Sequence, residues 1–135
     1  MKQVSVFLEN RPGTLRELSE TLSNGGINMK ALSVAEAEGF GIARIIVDNV
    51  ENTTDILKEA GFVHELVSVV AVRVPDETGG LAKILELFHK KEINIEYIYA
   101  FSHRSGDADF VFKVEDEKRA LRALEENKIE IIDEE

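Results

Sequence analysis

The sequence lacks several features on which whole classes of protein depend. Its 135 residues include no cysteine, no tryptophan and only 2 prolines. Without cysteine there is no disulfide framework, no thiolate nucleophile and no thiolate-bound zinc. The longest nearly apolar run, residues 66–72, is far shorter than the roughly 20 residues of a membrane-spanning helix. The start, Met1-Lys2-Gln3, leads directly into Val4 and leaves no room for a signal peptide, so a cytoplasmic protein is expected.

Basic side chains are also scarce. The chain has 16 Lys and Arg against 26 Asp and Glu, a net charge of −10, and neither half is basic. Because proteins grip a phosphate backbone through clustered Lys and Arg, nucleic acid and anionic membranes are disfavoured as partners. The acidity is typical of a solvated surface, which we favour over an acidic docking patch. At 44% hydrophobic residues the chain can form a packed core.

The sequence repeats itself at an offset of 66 residues. The matched positions are 4–8 with 70–74, Gly13 with Gly79, Leu15 with Leu81, 27–29 with 93–95 and, after one extra residue in the second copy, 43–47 with 110–114. Such self-similarity predicts two homologous halves. We expect domains at residues 1–67 and 68–135, with little linker between them.

Each half changes its hydrophobic period in the same order. Apolar residues recur at every second position from Val4 to Leu8, which predicts a strand, and at helical spacing from Leu15 to Leu22. Gly25-Gly26 and Gly61 are expected to end the two helices of the first half. The first-half strands are predicted at 4–8, 27–35, 42–47 and 62–68, and the second-half elements at 69–74, 80–91, 93–101, 110–114, 117–127 and 129–132. The order βαββαβ predicts two ferredoxin-like α+β units, each an antiparallel sheet with helices on one face.

The turn between the first strand and first helix reads Glu9-Asn10-Arg11-Pro12-Gly13-Thr14-Leu15. Pro12 suits the first helical position, where its missing N–H is no loss. Gly13 allows close approach to the backbone, and free N–H groups at a helix N-terminus attract a carboxylate or another anion. Asn10 adds a donor and an acceptor. From the residues alone, a well-formed helix start is favoured over an anion site.

This turn, followed by Gly26-Ile27-Asn28, resembles the ACT domain, the regulatory amino-acid-binding module of phosphoglycerate dehydrogenase, aspartokinase and prephenate dehydratase. The second half, with Gly79-Gly80-Leu81 and Glu92-Ile93-Asn94-Ile95, looks like a diverged copy. The resemblance implies a stand-alone tandem protein whose ligand sits between two ACT units, held by the first turn and by the Asn that opens the second strand. The residues carried over are Asn10, Gly13, Thr14, Leu15 and Asn28, and in the second half Gly79, Gly80, Leu81 and Asn94.

Two departures from the family pattern bear on the ligand. The serine-binding dehydrogenase pattern has a His before its Glu-Asn, where this sequence has Leu8, so serine is not implied and a more apolar ligand is open. In the second half Asp76-Glu77-Thr78 replaces Asn-Arg-Pro. Asp76 places a carboxylate where an amino acid's own carboxylate would lie, so that turn either receives an α-ammonium group or binds nothing.

Other chemistry finds little support in the sequence. His64, His89 and His103 lie at unrelated positions of the repeat, so no metal or other cofactor is expected. Tyr97, Tyr99 and Phe101 alternate along one strand, and Phe110 and Phe112 along another. They are interpreted as core under the two helices, in preference to the wall of a pocket for an aromatic ligand.

Three functions follow, in order of preference. The first is a non-catalytic sensor that binds an amino acid between ACT units and acts on a separate protein, such as an enzyme of amino-acid metabolism; a homodimer is expected. The second is a docking module without a ligand. The third is an acyl-phosphate hydrolase using Arg11 and Asn28, which the net negative charge of the first half disfavours.

Overall fold

The structure, a computed structural model, describes residues 1–101 and 106–133, with only the backbone of Phe101. The chain divides into two compact units, Lys2–Val67 and Ser68–Glu135, the second including Met1. The first unit contains β1 (Lys2–Glu9), α1 (Thr14–Asn24), β2 (Met29–Ala37), β3 (Phe40–Val47), α2 (Val50–Glu59) and β4 (Val63–Ser68). The second contains β5 (Val70–Pro75), α3 (Gly80–Lys90), β6 (Ile95–Phe101), β7 (Asp107–Val114), α4 (Glu117–Glu126) and β8 (Glu130–Ile131). The predicted βαββαβ order is confirmed in both.

Each unit is built on one four-stranded sheet. The strand orders are β2-β3-β1-β4 and β6-β7-β5-β8, and the first-to-third and second-to-third strand pairs are antiparallel. Alternate residues of the central strands face the helices and form the core. In the first unit that core includes Val4, Val6, Leu18, Leu22 and Leu57, and in the second Val70, Val72, Ile84, Phe88 and Phe112.

Hydrogen bonds at the helix ends explain where the second strand of each unit begins. Gly26, at φ 76, carries the chain out of α1, and the N–H of Ile27 donates to the carbonyl of Leu22 at 2.9 Å. Ile27 therefore closes the helix instead of opening the strand, and β2 starts at Met29. Ile93 closes α3 in the same way through the carbonyl of Phe88 at 2.8 Å. Helix termination at the glycines is confirmed, and the strands start two residues later than predicted.

The prediction that Pro12 opens the first helix is wrong. Gly13 is the N-cap, at φ 92, and α1 begins at Thr14. The N–H of Arg11 donates to the carbonyl of Glu9 at 2.9 Å, which tightens the chain into a turn that still includes Pro12. Glycine can adopt this left-handed conformation without a Cβ penalty, so Gly13 sets the direction of the helix.

The preferred interpretation of the tyrosines is also wrong. The register of β6 on β7 shifts between Ile95 and Tyr97, so Glu96 is an extra residue of the strand. Such a bulge reverses which side chains face the helices. Ile95 packs against the helix-covered core, whereas Tyr97 and Tyr99 lie on the opposite face with their rings stacked at 6.4 Å. Phe110 and Phe112 belong to the core as predicted.

Among the described residues, none of the helices combines the length and apolarity that crossing a bilayer requires.

Candidate functional site

The turn between β1 and α1 presents unpaired backbone donors. No side chain caps α1 at Gly13, whose carbonyl accepts the N–H of Glu17 at 2.9 Å. The first N–H groups of a helix have no partner inside the helix and lie at its positive end. A Cβ built on Gly13 would meet nothing within 4 Å, so the space beside these donors is open. Thr14 and the 37%-exposed Leu15 stand at the edge of this space.

Arg11 does not face this space as a free cation. Its guanidinium contacts the carboxylate of Glu9 at 3.2 Å and that of Glu17 at 3.2 Å. The hydrogen bond to Glu9, followed by the charge of Glu17, raises the pKa of Arg11 above its usual value. Because both acids compete with any anion for the guanidinium, the arrangement disfavours Arg11 as the anion-binding group of an acyl-phosphate hydrolase.

Asn10 and Asn28 each use only part of their hydrogen-bonding capacity within the protein. The side-chain nitrogen of Asn10 donates to Glu36 at 3.1 Å, which leaves its carbonyl oxygen as an acceptor. The backbone of Asn28 is fixed by Asp48: its N–H donates to the Asp48 carboxylate at 3.2 Å, and its carbonyl accepts the Asp48 N–H at 3.3 Å. Among the described residues the side-chain amide of Asn28 has no hydrogen-bond partner, so it can donate to and accept from a ligand.

Asn10 and Asn28 lie at opposite ends of the same sheet. Glu9 is paired with Phe40 at one end of β3, and Met29 with Val47 at the other. At about 3.3 Å per residue, roughly 23 Å of strand separates those two pairs. One small molecule cannot touch both side chains of the same unit.

The corresponding turn of the second unit is built differently. Gly79 again has a left-handed φ of 86 and no side-chain cap. The N–H of Gly80, however, donates to the carbonyl of Glu77 at 3.1 Å, so one of the donors is used internally. Gly80 is buried, and a Cβ there would lie 3.0 Å from the carbonyl oxygen of Pro75. This turn therefore offers an anion fewer donors than the first.

The other predicted residues of the second unit are spread over both ends of its sheet. Asp76 is exposed at the turn, with its N–H donating to Gly106 at 3.0 Å. Leu81 packs against the core. Asn94 lies at the far end, where its carbonyl accepts the N–H of Glu115 at 3.0 Å. As in the first unit, the turn and the asparagine before the second strand do not meet.

A shallow depression of about 490 Å³ borders the first turn. It is lined by Phe7, Leu8, Glu9, Asn10, Arg11, Gly39, Phe40 and Val63. The rings of Phe7 and Phe40 lie 6.0 Å apart, and Val63 is 67% exposed. These three residues were missed by sequence reasoning. The pairing of Glu9 with Phe40 in a ferredoxin-like sheet is the signal by which Phe40 could have been found.

The histidines do not form a metal site within the described ranges. There, no group of three or more His, Asp or Glu side chains converges in a way that could hold an ion. His64 bonds through Nδ1 to the carbonyl of Phe62 at 2.9 Å, and His89 lies in the last turn of α3. His103 lies outside the described residues.

The similarity to known proteins covers the whole chain. A family model described as an ACT domain pair matches residues 1–135. The crystal structure of protein BT0572 from Bacteroides thetaiotaomicron is 34% identical, with a TM-score of 0.91 over 97% of this chain and 90% of that one. The ligand-free regulatory subunit of aspartate kinase from Thermus thermophilus is 16% identical, with a TM-score of 0.65 over 93% of this chain and 90% of that one. At that identity the likeness concerns the fold alone. No functionally curated protein matches the chain.

Proposed function

Because this chain belongs to the family of ACT domain pairs, we propose that it is a non-catalytic regulatory protein that binds a small amino acid and acts on a separate partner. The ligand's carboxylate binds the free N–H groups at the start of α1, beside Gly13, Thr14 and Leu15. The carbonyl oxygen of Asn10 accepts a hydrogen bond from its ammonium group. Backbone N–H donors, an amide acceptor and an apolar wall match the groups of a zwitterion.

The distance between Asn10 and Asn28 within one unit is the observation that supports a site shared between two ACT units. Since about 23 Å of strand lies between the two ends of the sheet, a ligand at the first turn reaches an asparagine of the Asn28 type only on another unit. Two copies of the chain in a homodimer satisfy this requirement. The expected cytoplasmic location remains a prediction.

The apolar character of the depression favours an amino acid less polar than serine. Leu8 occupies the position where the serine-binding pattern has His, and Phe7 and Phe40 line the same depression. A ligand side chain there removes apolar surface from water, which contributes about 25 cal/mol per Å². We therefore expect aliphatic or aromatic amino acids to bind more tightly than serine.

Thermal unfolding of the full chain with each natural amino acid at millimolar concentration tests the proposal. A ligand present at about 100 times its dissociation constant stabilises the folded state by roughly 2.7 kcal/mol, which raises Tm by several degrees. Asn10→Ala and Asn28→Ala are expected to remove that shift and the calorimetric heat of binding. The matched control is Asn24→Ala, at the exposed end of α1, which should keep both. An unchanged Tm with every amino acid would contradict a ligand at this turn.

A docking module without a ligand is the second candidate, and one observation favours it. β2 stands at the edge of the first sheet, and its Leu32 and Val34 are 42% and 50% exposed. An open edge strand with apolar side chains invites pairing with another chain. Under this alternative, Leu32→Lys abolishes self-association or partner binding while Asn10→Ala and Asn28→Ala leave it intact. Analytical ultracentrifugation measures the self-association, and the calorimetric heat with amino acids, which only the sensor gives, distinguishes the two candidates.

A further inference from the structure

A second cavity opens in the second unit where its last strand stops short. β4 in the first unit has six residues, whereas β8 has two and, among the described residues, pairs with β5 at Val72 and Arg73. Beyond Arg73 the edge of β5 is bordered by α3 and by the turn after α4. The space between them is a cavity of about 490 Å³, within the range of roughly 300–1,000 Å³ that small-molecule sites occupy.

The floor of this cavity is apolar and its rim carries both charges. Val74, Ile84 and Ile129 contribute the apolar surface, and all three belong to or pack on the core. The rim carries two lysines, Lys83 and Lys128, and also the acids Glu77 and Asp107. Within the part of the chain that the structure describes, neither lysine forms an ion pair.

Arg73 also lines the cavity, but its guanidinium already contacts two carboxylates of the protein. It makes two hydrogen bonds to Asp109, at 2.9 and 2.8 Å, and a third contact to Glu130 at 3.4 Å. The two lysines are therefore the cations available to a ligand. Lys128 is held in place because its N–H donates to the carbonyl of Glu125 at 3.1 Å, and the next N–H, of Ile129, to Leu124 at 3.0 Å.

The two repeats differ at this place by an exchange of charges. Arg11 and Glu17 of the first repeat align with Glu77 and Lys83 of the second. Arg11 and Glu17 are ion-paired at 3.2 Å, which draws the turn onto α1. Glu77 and Lys83 form no such pair, although their charges are opposite. In the second repeat, Glu77 and Lys83 therefore provide opposite charges on the rim that a ligand can bind.

We propose that this cavity is a second binding site, specific for an aliphatic α-amino acid. The ligand's carboxylate binds Lys83 and Lys128, its ammonium group binds Glu77 and Asp107, and its side chain packs on Val74, Ile84 and Ile129. This inference goes beyond the site at the first turn, since it uses neither Gly13 nor Asn10. In this second site the ligand's carboxylate is held by lysine side chains instead of backbone N–H groups. The turn at Gly79 therefore does not need the free N–H donors that the turn at Gly13 offers.

NMR titration of the full chain with L-leucine, L-isoleucine and L-valine tests this inference. We expect shifts of the amides of Lys83, Ile84 and Ile129. The deaminated analogue, 4-methylpentanoate, and the decarboxylated one, isopentylamine, should each bind about tenfold or more weakly than leucine, because each loses one set of charge-assisted hydrogen bonds. Absence of shifts at these amides with all three amino acids would overturn the proposal, as would equal affinity for leucine and its analogues.

Variants separate this site from the one at the first turn. The double variant Glu77→Arg with Lys83→Glu transplants the closed pair of the first repeat without changing the net charge, and it should abolish the shifts. Lys128→Gln should weaken binding about tenfold or more. Lys90→Gln, a lysine paired with Glu86 outside the cavity, is the matched control and should bind as the wild type does.

The first-turn variants complete the design. Leucine shifts that persist at Lys83 and Ile84 in Asn10→Ala and Asn28→Ala support the second site even if the site at the first turn does not exist. Shifts that disappear in those two variants but survive Glu77→Arg with Lys83→Glu would overturn the second site and leave the proposed function standing.

Discussion

Replacing the ion pair of Arg73 and Asp109 by its apolar counterpart from the first repeat should leave the second unit stable, whereas removing Arg73 alone should not. The side chain of Asp109 is fully buried and that of Arg73 is 26% exposed. The two residues face each other across β5 and β7, and the hydrogen bond to Asp109 is the main cause that raises the pKa of Arg73. In the first sheet the equivalent pair is Phe7 opposite Ile42.

The magnitudes follow from the burial of the carboxylate. Arg73→Phe leaves Asp109 charged, buried and without its partner, which should cost about 3–5 kcal/mol of the free energy of unfolding. Asp109→Ile should cost less, about 1–3 kcal/mol, because the guanidinium of Arg73 keeps Glu130 and part of its hydration. The double variant removes both charges and supplies a pair that the same fold already accommodates, so it should be within about 1 kcal/mol of wild type.

Urea unfolding followed by tyrosine fluorescence measures these differences in the second unit alone. The chain has 2 tyrosines and no tryptophan, and Tyr97 and Tyr99 both lie on β6. A double variant whose loss of stability equals the sum of the two single losses would contradict this expectation, since the coupling energy of the pair would then be zero. A harmless Arg73→Phe would refute the claim that the carboxylate depends on it.

Three further predictions concern other parts of the fold. Deleting Glu96 should leave the second unit folded, because it removes the unpaired residue and keeps Tyr97 opposite Lys113 and Ile98 opposite Phe112; loss of the folded circular dichroism and tyrosine fluorescence signals would contradict the bulge. Asn49→Ala and Asp116→Ala each remove a side-chain cap, at 2.9 and 3.1 Å, and should each cost about 1 kcal/mol by urea unfolding; equal stability to wild type would contradict the capping role. Gly13→Ala forces a left-handed φ on alanine and should cost about 1–2 kcal/mol, with no steric contribution, and a neutral effect would indicate that the turn adopts another conformation.

The spacing of the hydrophobic residues and the internal sequence repeat were sufficient to predict the order of strands and helices and the ferredoxin-like fold of each unit. They could not locate the strand starts, because whether Ile27 belongs to a strand or closes a helix depends on one hydrogen bond to Leu22. They also could not reveal the bulge at Glu96. A single extra residue leaves the alternation of Tyr97 and Tyr99 intact while turning both to the other face, so the sequence pattern looks the same in either case.

The candidate site was predictable only in part. The residues of the first turn were identified from their sequence, and the left-handed Gly13 agrees with a need for glycine there. What the sequence could not show is distance: Asn10 and Asn28 are 18 positions apart and lie at opposite ends of one sheet. The ion pairs of Arg11, which disfavour a hydrolase, also depend on the fold of the turn. The cavity beside Lys83 depends on the length of β8, which was predicted as four residues and has two.

A crystal structure of the chain, grown with the amino acid that most raises its Tm, would show directly whether that amino acid binds at the first turn. We expect a bound zwitterion whose carboxylate lies within about 3 Å of the backbone N–H groups at Gly13, Thr14 or Leu15, with an Asn28 or Asn94 amide of another ACT unit against the same molecule. A turn whose N–H groups are instead bonded to protein atoms, with the amino acid bound elsewhere or not at all, would contradict it.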